Sequence, residues 1–173
     1  MSEVPAWFER KFSFPFPVEV YPNLRGRLAG TPARLEEMLQ GLSRAPLTAK
    51  LGGKWSIQEN AGHLLDLEPL WLARVEEFLR GAGVLTEADL TNRKTHEAGH
   101  NQRPLAEILG AFRRARSRLV DRLHGPRAEE FARTSLHPRL KTPMRLVDLM
   151  FFVAEHDDHH LARIWELRHA LND

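Results

Sequence analysis

Glu155-His156-Asp157-Asp158-His159-His160 packs three of the chain's nine histidines and three carboxylates into six residues of an otherwise apolar run. That run, residues 143–171, predicts a helix: Thr142 is placed to cap it, and Pro143 suits a first helical position where no N–H is needed. Leu149, Val153, Ile164 and Leu167 follow helical spacing, and His156 and His160 fill the gap in their stripe. The core-facing stripe therefore carries two imidazoles one turn apart, the arrangement by which a helix supplies two ligands to one metal ion. His159 falls off the stripe and is not expected to be a ligand. With nine histidines in 173 residues, a pair four apart arises readily by chance, and it is burial that sets this pair apart. Two inward rings each need a partner for a buried polar nitrogen.

Working outward, Ser56-Ile57-Gln58-Glu59 is a capping-box sequence that starts a second helix. Its stripe, Leu64, Leu67, Trp71, Val75 and Phe78, has His63 on its edge, so a third histidine looks inward. Asp66, nearly on the same face, is placed as an acceptor behind a ligand or as an extra ligand. Pro69 inside this helix removes one hydrogen bond, costs about 3 kcal/mol in an unsupported helix, and predicts a bend after His63. A third helix starts at Pro104 and buries Leu105, Ile108, Leu109, Phe112, Leu119, Val120 and Leu123. Its other face carries Arg113, Arg114, Arg116, Arg118 and Arg122 without interleaved aromatics, which reads as a solvated face rather than a nucleic-acid surface.

The first helix is read from Leu24, Leu28, Leu35, Met38, Leu39 and Leu42, with a break at Gly30-Thr31-Pro32 and an end near Ser43. Before it, residues 1–22 are aromatic and proline-broken, predicting an extended arm whose rings lie on the domain. Residues 81–103 read as a crossover loop with a helical turn near residues 85–90. The loop contains His96-Glu97-Ala98-Gly99-His100, which matches the zinc-protease pattern His-Glu-x-x-His. A glycine and polar flanks with no burying stripe argue against that use, so His96 and His100 are expected to be dispensable for metal. Residues 127–141 read as loop, with a turn at Leu136-His137-Pro138. No period-two run competes with the helices, so one all-α domain over residues 1–173 is expected.

With no cysteine, disulfides, thiolate nucleophiles and Cys-rich zinc sites are excluded, and any metal is held by histidine and carboxylate. A composition of 42% hydrophobic and 28% charged residues is that of a globular domain able to bury a core. The formal charge of +2 does not point to nucleic acid. No long uncharged apolar run or signal-peptide pattern is present, so the expected location is the cytoplasm, away from the membrane.

Inward histidines on the second and fourth of four amphipathic helices point to a bundle with a metal site between facing helices. The residues also carry a resemblance. Trp7-Phe8-Glu9-Arg10, Trp55-Ser56-Ile57, Ala61-Gly62-His63-Leu64-Leu65-Asp66, His137-Pro138 and Glu155-His156-Asp157-Asp158-His159-His160-Leu161 together resemble the DinB/YfiT-like superfamily. The resemblance implies helices connected up-down-down-up, which suits the long crossover. It also implies one divalent ion bound by His63, His156 and His160. Some relatives resemble thiol-dependent enzymes such as bacillithiol S-transferases and mycothiol-dependent maleylpyruvate isomerase.

Three neutral imidazoles leave a coordination position open for water or a thiol, which suits hydrolase or transferase chemistry on a small-molecule substrate, with a low-molecular-weight thiol as a candidate partner. Zinc or nickel is expected first, with iron, manganese and copper also compatible. Asp66, Glu155, Asp157 and His159 are the candidates for orienting a ligand ring or moving a proton. The alternative is a non-catalytic, stress-related bundle that binds a metal or a partner. A homodimer is expected from exposed apolar residues.

Overall fold

The computed structural model describes residues 4–172. Six helices occupy Tyr21–Leu39 (α1), Arg44–Thr48 (α2), Ile57–Leu79 (α3), Arg93–Glu97 (α4), Leu105–Arg122 (α5) and Leu146–Asn172 (α6). A hairpin of Thr134–His137 (β1) and Thr142–Arg145 (β2) precedes α6. The four long helices form the bundle: α1 and α3 lie on one diagonal, each packed against both α5 and α6.

Side-chain pairs give the helix directions. Arg27 meets Asp158 and Arg168 reaches the Met38 carbonyl, so α1 and α6 run parallel. Glu68 and Glu76 of α3 meet Arg116 and Arg122 of α5, so these two also run parallel. Asn60 meets His160 while Trp71 meets Phe152, so α3 and α6 are antiparallel. The order is up-down-down-up, as expected. Two consecutive parallel helices need a connection spanning the bundle's length, which residues 80–104 provide.

Four local expectations are corrected. First, α1 runs unbroken through Gly30-Thr31-Pro32 and ends at Leu39 rather than near Ser43. Pro32 cannot donate to the Leu28 carbonyl, and Arg116 Nη1 supplies the missing donor at 3.1 Å. Second, residues 134–145 form an antiparallel hairpin, with Thr134 opposite Arg145 and His137 opposite Thr142. Strands of four residues are too short for alternation to stand out, and Pro143 is tolerated because it lies in a two-stranded sheet. Third, Thr142 and Pro143 therefore lie in β2, and α6 starts at Leu146, where Asp148 accepts the Arg145 backbone N–H at 2.8 Å. Fourth, the helical turn in the crossover is α4, not residues 85–90; Val84 instead bridges to Leu136 of β1. The capping box at Ser56–Glu59 is present as expected, and α3 continues through Pro69.

The core divides into two apolar clusters. One holds Leu24, Leu28, Trp71, Val75, Phe78, Leu119, Leu123 and the start of α6; the other holds Leu35, Leu39, Ile57, Leu64, Phe112, Leu161, Ile164 and Leu167. Between them every bundle helix carries buried polar side chains: Thr31, then His63 and Glu68, then Arg116, then His156, Asp157 and His160. Arg116 is thus buried, contrary to its placement on a solvated face. Arg113 and Arg122 of that face pair with Glu36 and Glu76. The aromatic arm lies on the first cluster as expected, with Trp7, Phe12, Phe14 and Phe16 packed against it. Its residues 1–3 lie outside the described residues.

Candidate metal centre

His156 and His160 emerge one turn apart from α6, and His63 faces them from antiparallel α3. One ring nitrogen from each lies within 4.8 Å of the other two, and all three residues are buried. Burial is the largest influence on all three and lowers their pKa values, to about 4 for His63 and well below the ordinary range for His156 and His160. They are therefore neutral near pH 7, each with one nitrogen lone pair free to bind.

The surrounding hydrogen bonds assign the tautomers. His160 Nδ1 lies 2.9 Å from Asn60 Oδ1, an acceptor, so it carries the proton and leaves Nε2 as the basic nitrogen. His63 Nδ1 lies 2.9 Å from Thr95 Oγ1, and that hydroxyl donates onward to Asp66 Oδ2 at 2.9 Å. With its proton committed to Asp66, Thr95 accepts from His63 Nδ1–H, which again leaves Nε2 basic. His156 Nδ1 is buried with no hydrogen-bond partner. Three neutral imidazoles, two oriented from behind and one with an uncompensated nitrogen, suit a divalent cation of borderline softness.

Asp66 is thus the acceptor behind His63, acting through Thr95. His100 Nε2 donates to the same carboxylate oxygen at 2.8 Å. Burial raises the Asp66 pKa, but hydrogen bonds from His100 and Thr95 outweigh it and hold the carboxyl below its usual range. His100 is 1% exposed, which corrects the reading of its segment as unburied loop. Its ring lies flat against Gly62, where an added Cβ would come within 2.3 Å of His100 Cγ. A glycine inside a helix costs about 1 kcal/mol relative to alanine, and here it admits the imidazole. His96 and His100 do not share a helix, since α4 ends at Glu97 and Gly99 takes a left-handed φ of 60°.

A family model described as the DinB superfamily matches residues 27–164. The chain belongs to the DinB superfamily. Similar to it is a Bacillus pumilus protein named "Putative metal-dependent hydrolase", 28% identical over 147 residues that cover 82% of this chain and 81% of that one. Among solved structures, YfiT from Bacillus subtilis, described as "a probable metal-dependent hydrolase with an unusual four-helix bundle topology", superposes with a TM-score of 0.81. That match is 20% identical and covers 95% of this chain and 94% of the other, so it shows a shared fold.

In this DinB member the triad forms one wall of a cavity of about 410 Å³. Trp7, Phe8, Trp55, Trp71 and Phe152 supply aromatic surface, and Arg74, His137 and Arg139 a basic corner. His159 also lines it, edge-on to His160 and beside Trp7. Burial first, then Arg163 and Arg10, lower its pKa to about 4. Glu155 is held by Arg10 at 2.5 Å and Arg27 at 2.6 Å. Asp157, 0% exposed, accepts from Arg116 at 2.5 Å and Thr31 at 2.8 Å. Neither carboxylate lines the cavity.

Sequence reasoning missed Thr95, Asn60, Arg74 and Arg139, and gave His137 no site role. Thr95 and Asn60 carry no motif; only the tertiary contact shows their use. His100 had a signal, the pairing of an in-helix glycine with a histidine-rich crossover. None of the described helices is long and apolar enough to cross a membrane.

Proposed function

We propose that this protein is a metal-dependent hydrolase of a small-molecule substrate, with one divalent ion held by His63, His156 and His160 over residues 1–173 folded as one domain. The observation that carries it is the triad itself: three buried neutral imidazoles converge at the wall of an aromatic cavity, with none of their ring nitrogens paired directly to a carboxylate. A bound ion at a three-histidine site supplies Lewis acidity, which makes water nucleophilic near neutral pH and polarises an acyl or phosphoryl oxygen.

The chain's own residues do the rest. Asn60 fixes the His160 ring, and Thr95, oriented by Asp66 and His100, fixes His63. Trp7, Trp55 and Trp71 exclude bulk water from the reacting end. His159, neutral and on the cavity wall, is positioned to accept and return a proton. Asp66 acts from behind a ligand, and Glu155 and Asp157 serve ion pairs. The same open position suits a thiol, the co-substrate of the transferases named above.

Elemental analysis of untagged protein, paired with a panel of esters, amides and phosphoesters assayed with and without a thiol, tests the proposal. One ion per chain and thiol-independent hydrolysis abolished by chelation are expected. Full activity after chelation overturns it, and turnover only with thiol replaces hydrolase by transferase.

A further inference from the structure

Most arginines near the bundle meet a carboxylate: Arg10, Arg27, Arg34, Arg113, Arg116 and Arg122 each form an ion pair. Two on the cavity wall do not. Arg74, 1% exposed, donates from Nε and Nη2 to the Thr86 carbonyl at 3.0 and 2.8 Å, and its Nη1 lies 3.2 Å from His137 Nε2. Arg139 has a buried Nη2 with no hydrogen-bond partner, and its guanidinium carbon sits 5.5 Å from the Phe8 ring and 5.8 Å from the Phe152 ring. No carboxylate among the described residues forms an ion pair with either. A desolvated cationic donor left without an acceptor is costly, which points to a ligand supplying the acceptor.

The surroundings make this a corner of positive charge. Burial, then Arg74 and Arg139, lower the His137 pKa to about 3, so this ring stays neutral between the two guanidiniums. Burial likewise lowers the pKa values of Arg74, to about 10 against the opposing charge of Glu77, and of Arg139; the Glu77 carboxylate itself accepts from Thr86 rather than from either guanidinium. Asp89, the one carboxylate lining the cavity, is exposed and accepts from Thr91 and the Arg93 backbone instead. The Phe152 ring adjoins both His137 and Trp71, linking the basic corner to the wall that carries His156. Also lining the cavity, Phe8 is 54% and Leu90 52% exposed, an apolar rim open to solvent.

We infer that the cavity takes a small organic anion with an apolar, preferably aromatic, body, whose carboxylate or phosphate oxygens are held by Arg139 and Arg74. Its reacting bond then lies toward the histidine triad. The inference rests on the metal-centred reading for where reaction occurs, and not for where the anion is held.

Tryptophan fluorescence titrations with phenylacetate, phenyl phosphate and neutral phenylacetamide test it, in metal-loaded and chelated wild type and in Arg139→Gln and Arg139→Lys. At least tenfold tighter binding of an anion than of the amide is expected in both metal states. Arg139→Gln should abolish that preference and Arg139→Lys retain part of it, with metal content and melting temperature unchanged in both. The tighter of the two Arg139-dependent anions identifies the oxyanion. Equal binding of acid and amide by wild type, or a preference that survives Arg139→Gln, overturns the inference. A preference lost on chelation but kept in Arg139→Gln would put the anion on the ion, overturning this inference while leaving the metal reading standing. Wild type that binds no added divalent ion yet keeps an Arg139-dependent preference would overturn the metal reading while leaving this inference standing.

Discussion

Two buried polar clusters share the middle layer of this bundle, and they are finished differently. In the first, Arg116 donates to Glu68 at 2.7 Å and to Asp157 at 2.5 Å, Thr31 donates to Asp157, and Arg116 takes the Leu28 carbonyl that Pro32 leaves free. Burial lowers the Arg116 pKa, but the two carboxylates outweigh it and raise it, while burial pushes the Glu68 carboxyl up. In the second, His63, His156 and His160 meet with no carboxylate bonded to any of them, Asp66 reaching His63 only through Thr95, and His156 Nδ1 has no hydrogen-bond partner among the described residues. The first cluster is completed by the chain, so it acts as a lock among four helices. The second is left incomplete beside a cavity, which is what a binding site requires.

The largest effect is expected at Arg116. Arg116→Leu leaves two carboxylates buried without a cation and should cost about 3–5 kcal/mol in urea unfolding, as for other broken buried pairs. A loss near zero would mean that the charges are not mutually dependent.

In chelated protein, acid should act on the histidine cluster. The folded His63 has a pKa of about 4 against an ordinary 6.5, and those of His156 and His160 are lower still. As pH falls below 6.5 the unfolded chain takes up protons that these rings refuse, so stability is complete above that value and declines toward pH 4. The slope should approach 1.4 kcal/mol per pH unit for each buried ring, on the order of the linkage limit. A melting temperature flat from pH 7 to 5 would contradict it.

Adding the ion should raise the melting temperature, by about 2.7 kcal/mol of stability at a hundredfold excess over Kd. His63→Ala, His156→Ala and His160→Ala should each remove bound metal, read by elemental analysis. A smaller effect is expected behind the ligands. Thr95→Val or Gly62→Ala, the latter displacing His100, should keep one ion per chain but weaken it about 10- to 100-fold in competition with a chelator. Unchanged affinity in both would reduce the His63–Thr95–Asp66–His100 chain to packing. The smallest effect belongs to His159→Ala, for which metal content stays at one ion while the pH profile of turnover shifts.

Much of this was legible in the residues because it is local. Helical spacing placed Leu149, Val153, His156, His160, Ile164 and Leu167 on one face, and all six are buried. The Ser56–Glu59 capping box set the start of α3, and through it the phase of His63. Where reading went astray, a distant group had intervened. Pro32 broke nothing because Arg116, far along the chain, replaced its missing donor. The polar 93–103 segment acquired a buried His100 because Gly62 left room and Asp66 supplied an acceptor.

Periodicity and capping, which depend on neighbours within a turn or two, were enough to find the four long helices and the three inward histidines. Which buried polar groups complete one another depended on contacts between distant parts of the chain. Arg116 sits between Glu68 and Asp157, whereas Arg139 lies against the Phe8 and Phe152 rings with its Nη2 unbonded, and no spacing along the chain distinguishes these two arginines. The reason is physical: a buried charge is settled by whatever reaches it within hydrogen-bond distance, and those partners come from helices and hairpins far apart in sequence.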